Sequence, residues 1–207
     1  YNRRMDAFLL TFLVGFSSVL VLNAREQRQR IARLAQYLAP YQIERLMEGL
    51  TEGYLRAMGE KDAERSQQIW RLLTTSEVQL SEQLTRLAKD FAQTPEPEAR
   101  VSRWPFALPY ATRLAPAATF DMRRALAVHA EGVSRAMANT AGLSTRDRAY
   151  TISAELLLLQ HTCHWYCKSR TVASARMLAR HQTPYPQLVA SVSPATREAY
   201  LALTRSQ

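Results

Sequence analysis

Residues 7–24 read AFLLTFLVGFSSVLVLNA and contain no charged side chain. A helix needs about 17 to 25 mostly apolar residues to cross about 30 Å of hydrocarbon, because each residue adds about 1.5 Å. The stretch therefore predicts one membrane-spanning helix that is retained as an anchor. The side chains expected to face lipid are Phe8, Leu9, Leu10, Phe12, Leu13, Val14, Phe16, Val19 and Leu20.

Two other interpretations of this stretch stay open. Residues 2–4 are polar and basic, and residues 22–24 are a passable cleavage site, so the pattern also fits a secretory signal peptide. The small polar residues Thr11 and Ser17 are compatible with a buried helix of a soluble protein as well. We expect the anchor and keep these two as alternatives.

The cationic residues near the ends of the stretch predict its orientation. Lys and Arg are in excess on the cytoplasmic side of a membrane span. Arg3 and Arg4 precede the stretch, and more arginines follow it closely: Arg25, Arg28, Arg30 and Arg33. We therefore expect a single-pass protein of a bacterial-type inner membrane. Its C-terminal part then lies in the cytoplasm, where thiols stay reduced.

The rest of the chain is rich in residues that favour helices. Ala, Leu, Arg, Glu and Gln are abundant, and only 6 of the 207 residues are glycine. The predicted fold is all-α: a single N-terminal transmembrane helix followed by a helical hairpin and a C-terminal helical bundle. We expect no strand pair. The predicted parts are an anchor (1–24), an amphipathic helix and helical hairpin (25–93), a Pro/aromatic linker (94–118) and a basic helical module (119–207).

The hairpin is inferred from two apolar stripes at helical spacing. Neither helix covers its apolar face alone, so the two are expected to pack as an antiparallel pair, with a dimeric coiled coil as the rival arrangement. One stripe contains Ile43, Leu46, Met47, Leu50, Tyr54 and Met58, and the other contains Ile69, Leu73, Leu80, Leu84, Leu87 and Phe91. The linker shows no helical period and is expected to pack on a surface, within the protein or on a partner, through Trp104, Phe106 and Tyr110.

Helix boundaries in the C-terminal module follow from capping residues. Thr119 is the expected cap of its first helix, and Ser144 that of the next, with Asp147 completing a capping box. This second helix is expected to extend towards Arg180, and the prolines at 184 and 186 to break it. Ser193 followed by proline predicts a last short helix.

The net charge of +9 lies entirely in the second half of the chain. Residues 100–207 carry 14 Lys and Arg against 5 Asp and Glu, while residues 1–99 carry 13 of each. Such an imbalance favours an acidic protein surface or anionic lipid as partner. The predicted partner-binding residues are Lys168, Arg170, Arg176, Arg180, Arg123 and Arg124. Solvated arginines with no partner are the alternative.

Cys163, His164 and Cys167 form the sharpest local motif. On one helix these side chains converge within a turn, so they are a candidate partial site for a soft metal ion or for thiol redox chemistry. A structural zinc site commonly uses four ligands, and His129 and His181 add no matching pair. A buried structural role for the cysteines is the stronger expectation, and no other cofactor is expected.

No enzyme motif is present: the sequence lacks a G-x-S-x-G elbow, a phosphate-binding glycine loop and H-E-x-x-H. We expect a non-enzymatic, membrane-anchored scaffold or adaptor subunit that docks on other subunits of an inner-membrane complex of secretion, conjugation or energy-transducing type. A metal-handling or thiol-redox protein is the alternative. A nucleic-acid tether is the third hypothesis, disfavoured because no DNA-binding motif appears. A homo-oligomer stays open.

Overall fold

The structure is a computed structural model that describes residues 2–205, apart from the side chains of residues 2–4 and 8. The predicted lipid-facing residue Phe8 therefore lies outside the described side chains. The chain is 80% helical and nearly all-α, as predicted. The helices are α1 (Asn2–Leu38), α2 (Ile43–Gly59), α3 (Ala63–Phe91), α4 (Glu96–Ala99), α5 (Ala111–Leu114), α6 (Met122–Ala138), α7 (Thr145–Cys167), α8 (Arg170–His181), α9 (Tyr185–Ser191) and α10 (Pro194–Thr204).

Helix α1 is continuous, but its two halves have different surroundings. Among residues 2–205 it is the one helix long and apolar enough to cross a membrane, and no part of its apolar window is buried in the protein. From Asn23 onward the helix packs against the body, and Leu34 enters the core. A signal sequence or a core helix meets the same length and composition criteria.

Helices α2 and α3 pack against each other and run in opposite directions. Ser66 Oγ near the start of α3 donates to the carbonyl of Ala57 near the end of α2. At the other end, the backbone amide of Gln42 donates to Gln83 Oε1. Leu50, Leu80 and Leu84 are buried between these points and join a core that extends to α6 and α7.

A strand pair is present, and the prediction that none exists is wrong. Strands β1 (Arg100–Ser102) and β2 (Thr119–Asp121) pair antiparallel, with Val101 opposite Phe120. The segment between them contains α5 and a short 3₁₀ helix (Pro116–Ala118), so it is not structureless. Three residues per strand are too few to produce a visible period-two pattern in the sequence.

The C-terminal helices differ from the predicted boundaries at three points. Thr119 lies in β2, and Asp121 caps α6 instead. The long helix ends at Cys167, and Ser169 caps a separate helix α8 by accepting from the amide of Val172. Pro184 and Pro186 begin α9, because proline fits the first turn of a helix, where amides lack partners. The predicted caps Ser144 and Ser193 are confirmed.

Helix α7 is the central element of this half. One side of it contributes Ile152, Leu156 and Trp165 to the core shared with α3 and α6. The other side contributes Leu158 to a second cluster with residues of α8, α9 and α10. Two apolar faces on one helix leave no single amphipathic face on α7.

Candidate functional site

The basic residues predicted to bind a partner separate into two groups. Arg176 and Arg180 are exposed on α8, one turn apart, and line an open groove of about 360 Å³ between α7 and α8. Gln160 and His164 of α7 and His181 at the end of α8 line the same groove. It therefore combines two guanidinium groups, two imidazoles and a side-chain amide.

The electrostatics of this groove favour an anion. Burial, followed by the charges of Arg176 and Arg180, lowers the pKa of His164 below its ordinary value. Burial and Arg180 do the same to the pKa of His181. Within residues 2–205, His164 Nδ1 and His181 Nε2 are buried without a hydrogen-bond partner. A carboxylate or phosphate group in the groove would oppose the electrostatic repulsion among these groups.

Three of the other predicted basic residues make contacts within the chain. Arg123 forms an ion pair with Asp121 at 2.7 Å and donates to the carbonyl of Thr94. Lys168 Nζ donates to Gln27 Oε1 at 2.9 Å, which joins the end of α7 to α1. The guanidinium of Arg170 lies 5.6 Å from the centre of the Trp165 ring. All three side chains are therefore engaged in contacts within the fold.

Arg124 is exposed near the start of α6 and does not line the groove. Adjacent residues of a helix point in different directions, so Arg123 and Arg124 have different surroundings although the sequence analysis grouped them by charge. The structure therefore brings together Arg176 and Arg180 from the predicted basic set.

The cysteine motif lies mostly inside the protein. Cys163 and Cys167 pack against the core that contains Trp165 and Tyr166, and both are free thiols. Burial, then the nearby Cys167 and Glu44, raises the pKa of Cys163 to about 12. Burial raises the pKa of Cys167 to about 11. Both groups are therefore thiols near neutral pH, whereas metal binding and redox attack use the thiolate.

Metal ligands are not gathered in the part of the chain that the structure describes. It contains no group of three or more His, Cys, Asp or Glu side chains placed to hold a metal ion. His164 lines the groove between α7 and α8. The geometry gives the soft-metal hypothesis no support beyond the sequence motif.

A buried polar cluster between α6, α7 and α10 was missed by the sequence analysis. His129 Nε2 and Thr162 Oγ1 are 2.9 Å apart, and the Thr162 hydroxyl lies 3.4 Å from that of Tyr200. Glu155 is fully buried and accepts from both the amide and the hydroxyl of Ser193. Burial lowers the pKa of His129 to about 3 and raises that of Glu155.

This cluster ties helices together instead of facing solvent. Its members come from different helices, so no spacing in the sequence connects them. Gly132 is the one sequence feature that points to this cluster, because a glycine inside a helix often marks the close approach of another element. A Cβ atom there would lie 2.3 Å from Thr196 Oγ1 and 2.7 Å from Glu155 Oε2.

No family model, curated protein or solved structure matches this chain. The fold and site define a class in physical terms: a nearly all-α body carrying one long apolar helix and an anion-suited groove.

Proposed function

We propose that this chain is a membrane-anchored helical scaffold or adaptor subunit of an inner-membrane complex. The apolar part of α1 spans the bilayer, and the hairpin of α2 and α3 and the C-terminal bundle form its cytoplasmic body. The body docks on other subunits of an assembly of secretion, conjugation or energy-transducing type. It performs no chemistry itself in this proposal.

The single observation that carries the proposal is the contrast along α1. Its apolar first half is exposed on all sides, which in water would present a large apolar surface at high cost. Its second half is fixed to the body by Arg30, which donates to the carbonyl of Tyr166, and by the ion pair of Arg33 with Glu98. A rigid continuation from lipid into a folded body is what an anchor requires.

The groove between α7 and α8 supports the adaptor role. Arginine side chains one turn apart bind carboxylates of an acidic partner with two parallel hydrogen bonds each. Arg176 and Arg180 have that spacing and exposure. A lone anchor forms no channel, and contact with other proteins is the role that we propose for this body.

A C-terminal reporter fusion tests the topology. We expect activity of a cytoplasm-specific reporter joined after residue 207 and silence of a periplasm-specific one. The opposite pattern would contradict the proposed orientation, and the excess of arginines behind the span would then need another explanation.

Purification from detergent tests the docking. We expect the chain to carry a fixed set of partner subunits, and the double variant Arg176→Glu/Arg180→Glu to lose them. The double variant Arg45→Glu/Arg71→Glu, on exposed positions of α2 and α3, is the matched charge-reversal control and should retain them. A wild-type chain that purifies as a lone monomer would overturn the adaptor proposal.

A further inference from the structure

The segment between the two strands exposes an unusual amount of apolar surface. We call residues 104–114 the apolar loop. Its large side chains are substantially exposed: Trp104 38%, Phe106 64%, Leu108 44%, Tyr110 44% and Leu114 79%. A soluble protein seldom places so many apolar side chains together on its surface unless they have a partner.

The apolar loop lies beside the end of the uncharged stretch of α1. Asn23 Nδ2 donates to the carbonyl of Ala107 at 3.4 Å. Three residues further along the helix, Glu26 Oε2 accepts from the amide of Tyr110 at 3.0 Å. Three residues correspond to about 4.5 Å along a helix axis. The loop therefore flanks the level where residues 7–24 end and the charged part of α1 begins.

The loop is held in this place by the folded body. Trp165 Nε1 donates to the carbonyl of Ser102 at 2.9 Å, at the end of β1 and two residues before the loop. The amide and the hydroxyl of Thr171 both donate to the carbonyl of Pro105, at 3.0 and 2.7 Å. Because its backbone is bonded to α7, α8 and α1, the exposure of its side chains is a fixed feature of the fold.

Tyr110 has a left-handed backbone conformation, with φ of +59°. For a residue other than glycine this conformation is uncommon and costs free energy. It turns the chain into α5, where the guanidinium of Arg113 lies 5.6 Å from the centre of the Tyr110 ring. The strained turn keeps aromatic and basic side chains side by side.

We propose that the apolar loop rests in the headgroup region of the bilayer that α1 spans, with Phe106 and Leu114 entering the edge of the hydrocarbon. This inference rests on the proposed anchor. Trp and Tyr favour the membrane interface, and apolar side chains of interfacial segments reach about 5 to 10 Å into it. Exposed Arg25, Arg28 and Arg113 suit anionic headgroups at the same level.

Spin labels on the full chain test the loop separately from the anchor. Single cysteines replace Leu10, Phe106 or Leu72 in a Cys163→Ala/Cys167→Ala background, reconstituted in vesicles of phosphatidylcholine and phosphatidylglycerol. Oxygen concentrates in lipid and a nickel chelate in water, so their relative access reports depth. Leu72 is the control, since it is 73% exposed on α3.

We expect the ratio of oxygen to nickel access to be highest at 10, intermediate at 106 and lowest at 72. A lipid-like value at 10 with a water-like value at 106 would overturn the loop inference and leave the anchor standing. A water-like value at 10 would remove the anchor, and with it the basis for the loop.

A second measurement avoids the cysteine substitutions. Benzoyl-phenylalanine in place of Phe106 is illuminated in the same vesicles, and the adduct is weighed. A lipid adduct supports the inference. An adduct with a second copy of the chain would overturn it, because a protein and not the bilayer would then cover the loop.

Discussion

Glu77 is a carboxylate in the middle of the apolar stripe of α3, between Leu73 and Leu80. It is buried, accepts a hydrogen bond from the Tyr54 hydroxyl at 2.7 Å and forms an ion pair with Arg148. The three residues belong to α3, α2 and α7. A buried charge is retained only when it is paired, so this contact fixes the relative position of three helices.

Removing Arg148 should therefore destabilise the protein strongly. Arg148→Ala leaves Glu77 buried without its cation, and such a loss costs about 3 to 5 kcal/mol. Arg146→Ala, two residues away and exposed, is the matched control and should leave stability unchanged. Denaturant unfolding of the detergent-solubilised chain measures both. Equal midpoints for the two variants would show that the ion pair is not needed.

The buried side chain of His129 makes the free energy of unfolding depend on pH. His129 has a pKa of about 3 in the folded chain, lowered by burial and then by His161, against an ordinary value of 6.5. The unfolded chain therefore takes up the proton first as pH falls, which favours unfolding. The contribution of His129 is fully present above pH 6.5 and is lost progressively down to about pH 3. Glu155, whose pKa is raised, acts in the opposite direction.

We expect the free energy of unfolding to fall with acidification from pH 6.5 and to fall less in His129→Gln. The difference should reach about 2 kcal/mol by pH 5, because each pKa unit corresponds to about 1.4 kcal/mol. Unfolding midpoints at pH 7, 6 and 5 measure it, with His181→Gln as a control at a less buried site. Parallel pH profiles for wild type and His129→Gln would contradict the assignment.

At this scale the sequence was informative where one local motif decides the structure. Ser144 was predicted as a cap from Asp147 three residues later, and Ser193 from the proline that directly follows it. Ser169 was missed, since Cys163 and Met177 continue a helical spacing across it. The cap shows that side-chain hydrogen bonding to the backbone can override a continuous apolar pattern.

Among the elements, α6, α7 and α10 are in close contact at Gly132. A methyl group there would collide with Thr196 Oγ1 and Glu155 Oε2, two polar atoms fixed in the buried cluster. Gly49 in α2 has no atom near the same position. Both glycines lie in helix interiors. Comparing alanine substitutions at the two positions therefore separates the effect of packing from that of helix propensity.

Alanine at these two positions should have opposite effects. Gly49→Ala should stabilise the protein by up to about 1 kcal/mol, the propensity difference between the residues. Gly132→Ala should lower stability despite that gain, because α7 and α10 must move away from α6 to make room for the methyl group. Thermal unfolding in detergent distinguishes them. Stabilisation by both substitutions would mean that the helices are not in close contact.

The groove between α7 and α8 could not be predicted from the separate helices. Arg176 and Arg180 were selected from the sequence by charge, but His164 and Gln160 were not grouped with them. On one continuous helix His164 and Arg176 would be about 18 Å apart, at 1.5 Å for each of the intervening residues. The break at Lys168 folds α8 back on α7 and joins them in one groove.

At the scale of the whole molecule, the charge imbalance predicted an acidic partner, but part of the excess positive charge is used in contacts within the fold. Arg123 and Lys168 are used to hold the chain together, so formal charge overstates the free basic surface. The nearly all-α fold and the apolar helix followed directly from composition and from residues 7–24. The strand pair did not, because it depends on contacts between distant segments.

The proposed function requires residues 7–24 to remain in the lipid as part of the working protein. The most direct measurement is alkaline carbonate extraction of native membranes, followed by mass determination of the chain. We expect the wild-type chain in the membrane pellet with residues 7–24 still attached. Extraction into the supernatant, or a mature chain that begins at Arg25, would contradict the account.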